Sequence, residues 1–284
     1  MTPFPKWARR TLIAVVIALS ALSFAEQPNT TAEPPATQPP PPGAGRTPWQ
    51  FQPDGTTAVD FAIPIANEIV RMRTHFTVPP TPSRLGTLFL WPGLEPAPGG
   101  RDYDPIGLGV LQPVLTWGDS CAPTTQPSTY STWWISGQYV NVGDQPDYQG
   151  CHSGPAMSPR VGEVLDIDIA LDQSSGVWTQ TVTGRSGSVR YAINMGNQAQ
   201  NRAIFAVEPW DNAQFAGPLL FSDTTLTFRD QDPRACTDPD VSYSGTGGAI
   251  SRPTSADGRV CHIDTVTVNG TANPAHKPGG RQGL

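Results

Sequence analysis

Apolar and polar residues alternate with period two along much of the chain. In Val164–Leu171, Leu165, Ile167, Ile169 and Leu171 fall on one side and Asp166 and Asp168 on the other. That is the pattern of a strand with one buried face. Similar runs, rich in β-branched and aromatic residues, occur at 75–78, 87–91, 110–117, 130–142, 177–183, 190–195, 203–210, 224–228 and 262–268. Gly, Pro, Asn and Asp turns separate them. Only 62–72 has helical spacing, and it reads equally well as strand. Ten short strands of this kind predict an all-β sandwich or barrel. No repeat of fixed period points to a propeller.

The N-terminus breaks the pattern. Lys6, Arg9 and Arg10 precede an apolar run from Thr11 to Phe24, and Ser23-Phe24-Ala25 puts small residues at two cleavage positions. This is the layout of a secretory signal over residues 1–25, with an uncleaved anchor as the alternative. Residues 26–50 are dominated by Pro, Thr, Ala and Gly, with little to bury, and are expected to form a disordered Pro-rich linker. A propeptide is the competing reading of that segment. The strand-rich domain is expected over 51–284, and the mature chain is expected to be secreted, extracellular or periplasmic, and monomeric.

Composition narrows the function. Of 284 residues, 32 are Pro and 28 Gly, only 15% are charged, and the net charge is −6. Such a chain makes no general electrostatic claim on nucleic acid, and no run beyond the leader is long enough to enter a membrane. Four cysteines in an exported chain imply two disulfides. Three pairings are open; the sequence-local one, Cys121–Cys151 with Cys236–Cys261, is expected. A zinc site fits poorly, because no pair has CxxC spacing and Cys151-His152 and Cys261-His262 are adjacent. No metal or cofactor is expected.

The four histidines lie in no hydrolase or metalloprotease motif, so no motif supports a Ser-His-Asp triad. Carboxylates are the remaining acid–base candidates. After the linker only Glu68, Glu95, Glu163 and Glu208 remain as glutamates. Glu163 reads as solvated at a turn and Glu95 as lying in a Pro-flanked loop. Glu208 differs, because it ends the apolar run Ala203-Ile204-Phe205-Ala206-Val207-Glu208. A carboxyl there meets either water at a strand end or a desolvating cleft that would raise its pKa and suit it to general acid–base work.

The order Val78-Pro79, Trp91-Pro92-Gly93-Leu94, Val110-Leu111-Gln112, Tyr130-Ser131-Thr132-Trp133-Trp134, Val161-Gly162-Glu163-Val164 and Ala203–Glu208 resembles the eqolisin family of glutamic peptidases. The likeness runs from about Thr74 to Val268. It implies a concanavalin-like sandwich of two antiparallel sheets and an acid-acting, secreted endopeptidase for protein or peptide substrates. It also implies a catalytic pair, Gln112 as amide donor to the oxyanion and Glu208 as general base, with Trp91 and Trp133 binding substrate. The chain departs from the family pattern at Thr116, where an Asp is usual, and at Ile135, where a Glu is usual. Both changes remove polar partners from the site. Two other functions fit the same fold class: a non-catalytic carbohydrate-binding module, and a glycosidase, which needs two facing carboxylates about 5–10 Å apart.

Overall fold

Strand propensity and the spacing of turn residues produce fourteen strands and one short helix among the described residues. The computed structural model describes residues 55–64, 66–82, 86–96, 109–122, 129–141 and 150–271, so the expected signal segment and linker lie outside it. In chain order the strands are β1 (Thr57–Ala62), β2 (Ile69–Thr77), β3 (Thr87–Glu95), β4 (Val110–Gly118), β5 (Thr129–Asn141), β6 (Gly150–Met157), β7 (Val164–Asp172) and β8 (Val177–Gly184). They continue with β9 (Gly187–Asn194), β10 (Arg202–Trp210), β11 (Pro218–Phe228), helix α1 (Pro233–Thr237), β12 (Asp240–Ser244), β13 (Gly248–Ile250) and β14 (Val260–Asn269).

The strands form two seven-stranded antiparallel sheets, ordered β12-β1-β10-β3-β4-β5-β6 and β13-β14-β11-β2-β7-β8-β9. The chain is therefore an all-β sandwich. Alternate residues of each sheet meet in one core: Phe61, Leu88, Leu90, Leu115, Trp133, Phe205 and Val207 from the first, and Met72, Phe76, Ile167, Trp178, Phe221 and Ile263 from the second. Phe205 packs edge-on against Phe221 across the gap, with ring centroids 5.0 Å apart.

Each of the ten runs with period two coincides with a strand, with Val78 and Met195 just past strand ends and residue 142 outside the described residues. The ambiguous run 62–72 is no helix: it holds the last residue of β1, a turn and the first half of β2. Pro64 and Asn67 make that break, Asn67 Oδ1 accepting from the backbone N–H of Glu68 (2.8 Å) and of Asp230 (3.1 Å). Strands β1 and β6 escaped the pattern for opposite reasons. Nearly all of β1 is buried, so it shows no clean alternation, whereas β6 (GCHSGPAM) is poor in strand formers and pairs only along β5.

The cysteines pair locally, Cys121 with Cys151 and Cys236 with Cys261. Two disulfides suit an oxidising, extracellular compartment. The bridges span 30 and 25 residues, so their loop-closure terms differ by only about 0.2 kcal/mol. Their surroundings differ more, since Cys236 and Cys261 are fully buried and Cys121 is exposed. Replacing Cys236 and Cys261 together by Ala is expected to cost about 1–2 kcal/mol more than replacing Cys121 and Cys151, the excess being lost packing. Urea unfolding of the two double variants measures this; equal losses would rule the packing term out.

Candidate active site on the outer face of the first sheet

Alternation along β10 sends Ala203, Phe205 and Val207 into the core and Ile204, Ala206 and Glu208 to the outer face of the first sheet. There Ala58, Trp91, Val114, Ile204 and Ala206 form a second, smaller apolar cluster with Phe89 and Val110 packed against it. Glu208 stands at the edge of this cluster with intermediate exposure. Its Oε2 accepts from Trp91 Nε1 at 3.2 Å and its Oε1 from Trp210 Nε1 at 2.7 Å. Burial raises its pKa above the ordinary glutamate value, and the bonds from Trp210 and Trp91 offset only part of that rise. Among the described residues Glu208 enters no ion pair.

The ladder arranges this face in rows. Glu208 is opposite Phe89, Phe89 opposite Thr116, and Thr116 opposite Trp134. Ala206 is opposite Trp91, and Val114 opposite Ser136. Ile204 is opposite Gly93, and Gln112 opposite Gln138. Gly93 has a local reason: a Cβ there would meet Val110 Cγ1 at 2.9 Å and Trp91 Cε3 at 3.2 Å, so its absence gives the Trp91 ring room to lie along the sheet.

Of the residues singled out by sequence, Trp91 and Glu208 are in direct contact. Gln112 shares their face and is buried, but its row is offset by four residues and two strands. That separation is about 17 Å between Cα atoms, with the Trp91 row in between. Trp133 does not face the site. It is 2% exposed in the core, edge-on to Trp117 at 5.5 Å, and Ile135 lies in the same core. Trp134 and Ser136 take the outer positions instead. Two adjacent tryptophans leave the phase of the alternation undecided, and packing against Trp117 settles it. Thr116, where the family has Asp, is fully buried on the outer face with its hydroxyl lacking a hydrogen-bond partner. Trp210, unforeseen from sequence, was detectable as the aromatic two positions beyond Glu208.

Several solved structures show partial similarity to this chain. A solved structure of scytalido-glutamic peptidase with a transition-state analogue inhibitor is similar over 77% of this chain and 99% of that one, at 13% identity and a TM-score of 0.47. Lectin I-B4 from Griffonia simplicifolia, in its metal-free form, matches 78% of this chain and 74% of its own at 9% identity and a TM-score of 0.25. Peanut lectin with a nine-residue peptide does so at 11% identity, over 78% of this chain and 74% of its own, with a TM-score of 0.19. No family model matches the chain, and no curated protein does.

The other carboxylates divide clearly. Glu95 is no loop residue but the end of β3. It shares Arg202 with Asp60: Arg202 Nη1 lies 2.7 Å from Glu95 Oε1 and Nη2 lies 3.0 Å from Asp60 Oδ1. Burial pushes Glu95 up to about 7, Arg202 opposing and Asp60 adding to the rise. Glu163 is buried rather than solvated, and accepts from Arg160 N (3.0 Å), Ser186 N (2.6 Å) and Ser186 Oγ (2.6 Å). Burial pulls its pKa upward, but these bonds outweigh it and hold the group below the ordinary value. Asp166 and Asp168 lie on the far side of the molecule, on the outer face of the second sheet. There Arg71 Nε donates to Asp168 at 2.8 Å and His75 Nε2 pairs with Asp166. Ser222, His75 and Asp166 fall in register there; Nε2 of His75 pairs with Asp166, while its buried Nδ1 lies 3.9 Å from Asp223 and makes no hydrogen bond among the described residues.

Glu95 generates a test with a defined sign. Its folded pKa lies above the unfolded one, so its contribution is fully present below about pH 4.5 and is lost as pH rises toward about 7. Relative to Glu95→Gln, the wild type is expected to lose about 3 kcal/mol of unfolding free energy over that window. Chemical denaturation at pH 4 and pH 8 checks this, and parallel pH profiles would remove the assignment.

Proposed function

We propose that this chain is a secreted endopeptidase of glutamic type, acting at acid pH on protein or peptide substrates with Glu208 as general base and acid. One observation carries the reading. Glu208 is a partly exposed carboxyl at the end of an apolar sheet face, held only by neutral indole donors and displaced upward in pKa by burial. A carboxyl tuned in this way is suited to proton transfer. Ionised, it takes a proton from a water that attacks the scissile carbonyl, then passes that proton to the departing amine. Phe89, half-buried beside the buried Trp91, offers an extended peptide an apolar contact.

The motif resemblance assigns Gln112 to the oxyanion. Its row lies two beyond that of Glu208, farther than a single water spans. In this geometry Gln112 serves as an amide donor to the substrate backbone beyond the Trp91 row. A glycosidase mechanism needs a second carboxylate near Glu208, and among the described residues neither Asp60 nor Glu95 supplies it. Asp60 and Glu95 lie four and six residues from the Glu208 row, about 14 and 20 Å along the strands, whereas paired carboxyls need about 5–10 Å.

Acid-pH digestion of a denatured protein substrate tests the proposal. Glu208→Gln is expected to reduce activity to background while leaving thermal stability intact. For Gln112→Ala the kinetic split is informative: a backbone donor raises KM with kcat little changed, whereas an oxyanion donor lowers kcat about 100-fold or more. Full activity in Glu208→Gln would overturn the mechanism. Glycan binding without any hydrolysis by the wild type would support the carbohydrate-binding reading instead.

A further inference from the structure

We infer that Trp210 is a positioning residue for Glu208, its indole N–H and that of Trp91 together holding the ionised carboxylate by one donor on each oxygen. The inference rests on the proposed role of Glu208 as the base. Trp210 Nε1 lies 2.7 Å from Oε1, and Trp91 Nε1 lies 3.2 Å from Oε2. Positions two apart on a strand share a face, so β10 itself brings Trp210 alongside Glu208. Its ring is braced edge-on by Phe89, centroids 6.0 Å apart and planes at 88°, and Phe89 is the cross-strand partner of Glu208. Three aromatic side chains thus surround one carboxylate, two donating to it and one buttressing a donor.

An indole N–H donates and cannot accept. It therefore favours the form of the carboxyl in which both oxygens are free acceptors, which is the ionised form. Burial works the other way, and the net rise in pKa at Glu208 means that burial is the stronger of the two. Without Trp210 that opposition weakens. Of the other titratable groups on this face, Asp60 on β1 and Glu95 on β3 stand apart, engaged with Arg202. Tyr130 and Asp119 lie nearer: Tyr130 bonds Thr87, the cross-strand partner of Trp210, and donates to Asp119. The shorter bond belongs to Trp210, so it is expected to matter more than Trp91.

The test follows the carboxyl directly. In the wild type, the Nε1–H resonance of Trp210 is followed by NMR against pH. It is expected to titrate with the pKa of Glu208 and to stop doing so in Glu208→Gln. In Trp210→Phe, the Glu208 carboxyl is expected to titrate about one pH unit higher, and in Trp91→Phe by less. The acid limb of kcat/KM moves by the same amount, a loss of about tenfold on the acid side with KM unchanged. A Trp210 resonance that ignores Glu208, or a Trp210→Phe protein that folds with the wild-type Glu208 pKa, overturns the inference. If Trp210→Phe does not fold, the wild-type resonance alone decides. If the resonance titrates as expected but the wild type hydrolyses nothing, the positioning of Glu208 stands and the peptidase reading falls.

Discussion

A strand sends successive side chains to opposite faces, and the interior of the sandwich claims one of those faces. On β10 that claim is made by Ala203, Phe205 and Val207, with Phe205 locked against Phe221 of the other sheet. Everything about the outer face follows from it. Glu208 points away from the core because its odd-numbered neighbours cannot leave it. A slip of one residue would turn Phe205 and Val207 outward and carry Glu208 inward as an unpaired carboxyl. The same constraint carries Trp91 outward on β3, and it withdraws Trp133 and Ile135 on β5.

Three carboxylates in this chain meet the cost of burial in different ways, and the supply of donors decides each outcome. A hydrogen bond to a charged group contributes about 1.5–3 kcal/mol. Glu163 accepts three, two of them from backbone N–H groups, and finishes below the ordinary glutamate range. Glu208 accepts two from indoles and finishes above it. Glu95 has a guanidinium, but shares that cation with Asp60 and finishes at about 7. The first is a structural clasp between β7 and the turn before β9. The other two are held above the ordinary glutamate range on the same face of the same sheet.

Legibility from sequence tracked the physics of each feature. The run 164–171 could be read because one of its faces is dry and the other wet, and the disulfides because nearby cysteines in a turn-rich chain close short loops. Strand β1 could not, being buried on both faces. Nor could the burial of Glu163, whose donors at Arg160 and Ser186 are supplied by a turn 23 residues away as well as by its own.

Local order alone determined that ten of the fourteen described strands exist and the parity that puts Ile204, Ala206 and Glu208 on one side of β10. Those properties depend on the two-residue repeat of an extended backbone, which each segment carries within itself. Only the tertiary structure decided which of Trp133 and Trp134 faces outward, that Glu95 and Asp60 share Arg202, and that Gln112 stands two rows from Glu208. Each of those depends on the register between strands distant in sequence. Register is set by the combined packing of two sheets, and no single segment encodes it.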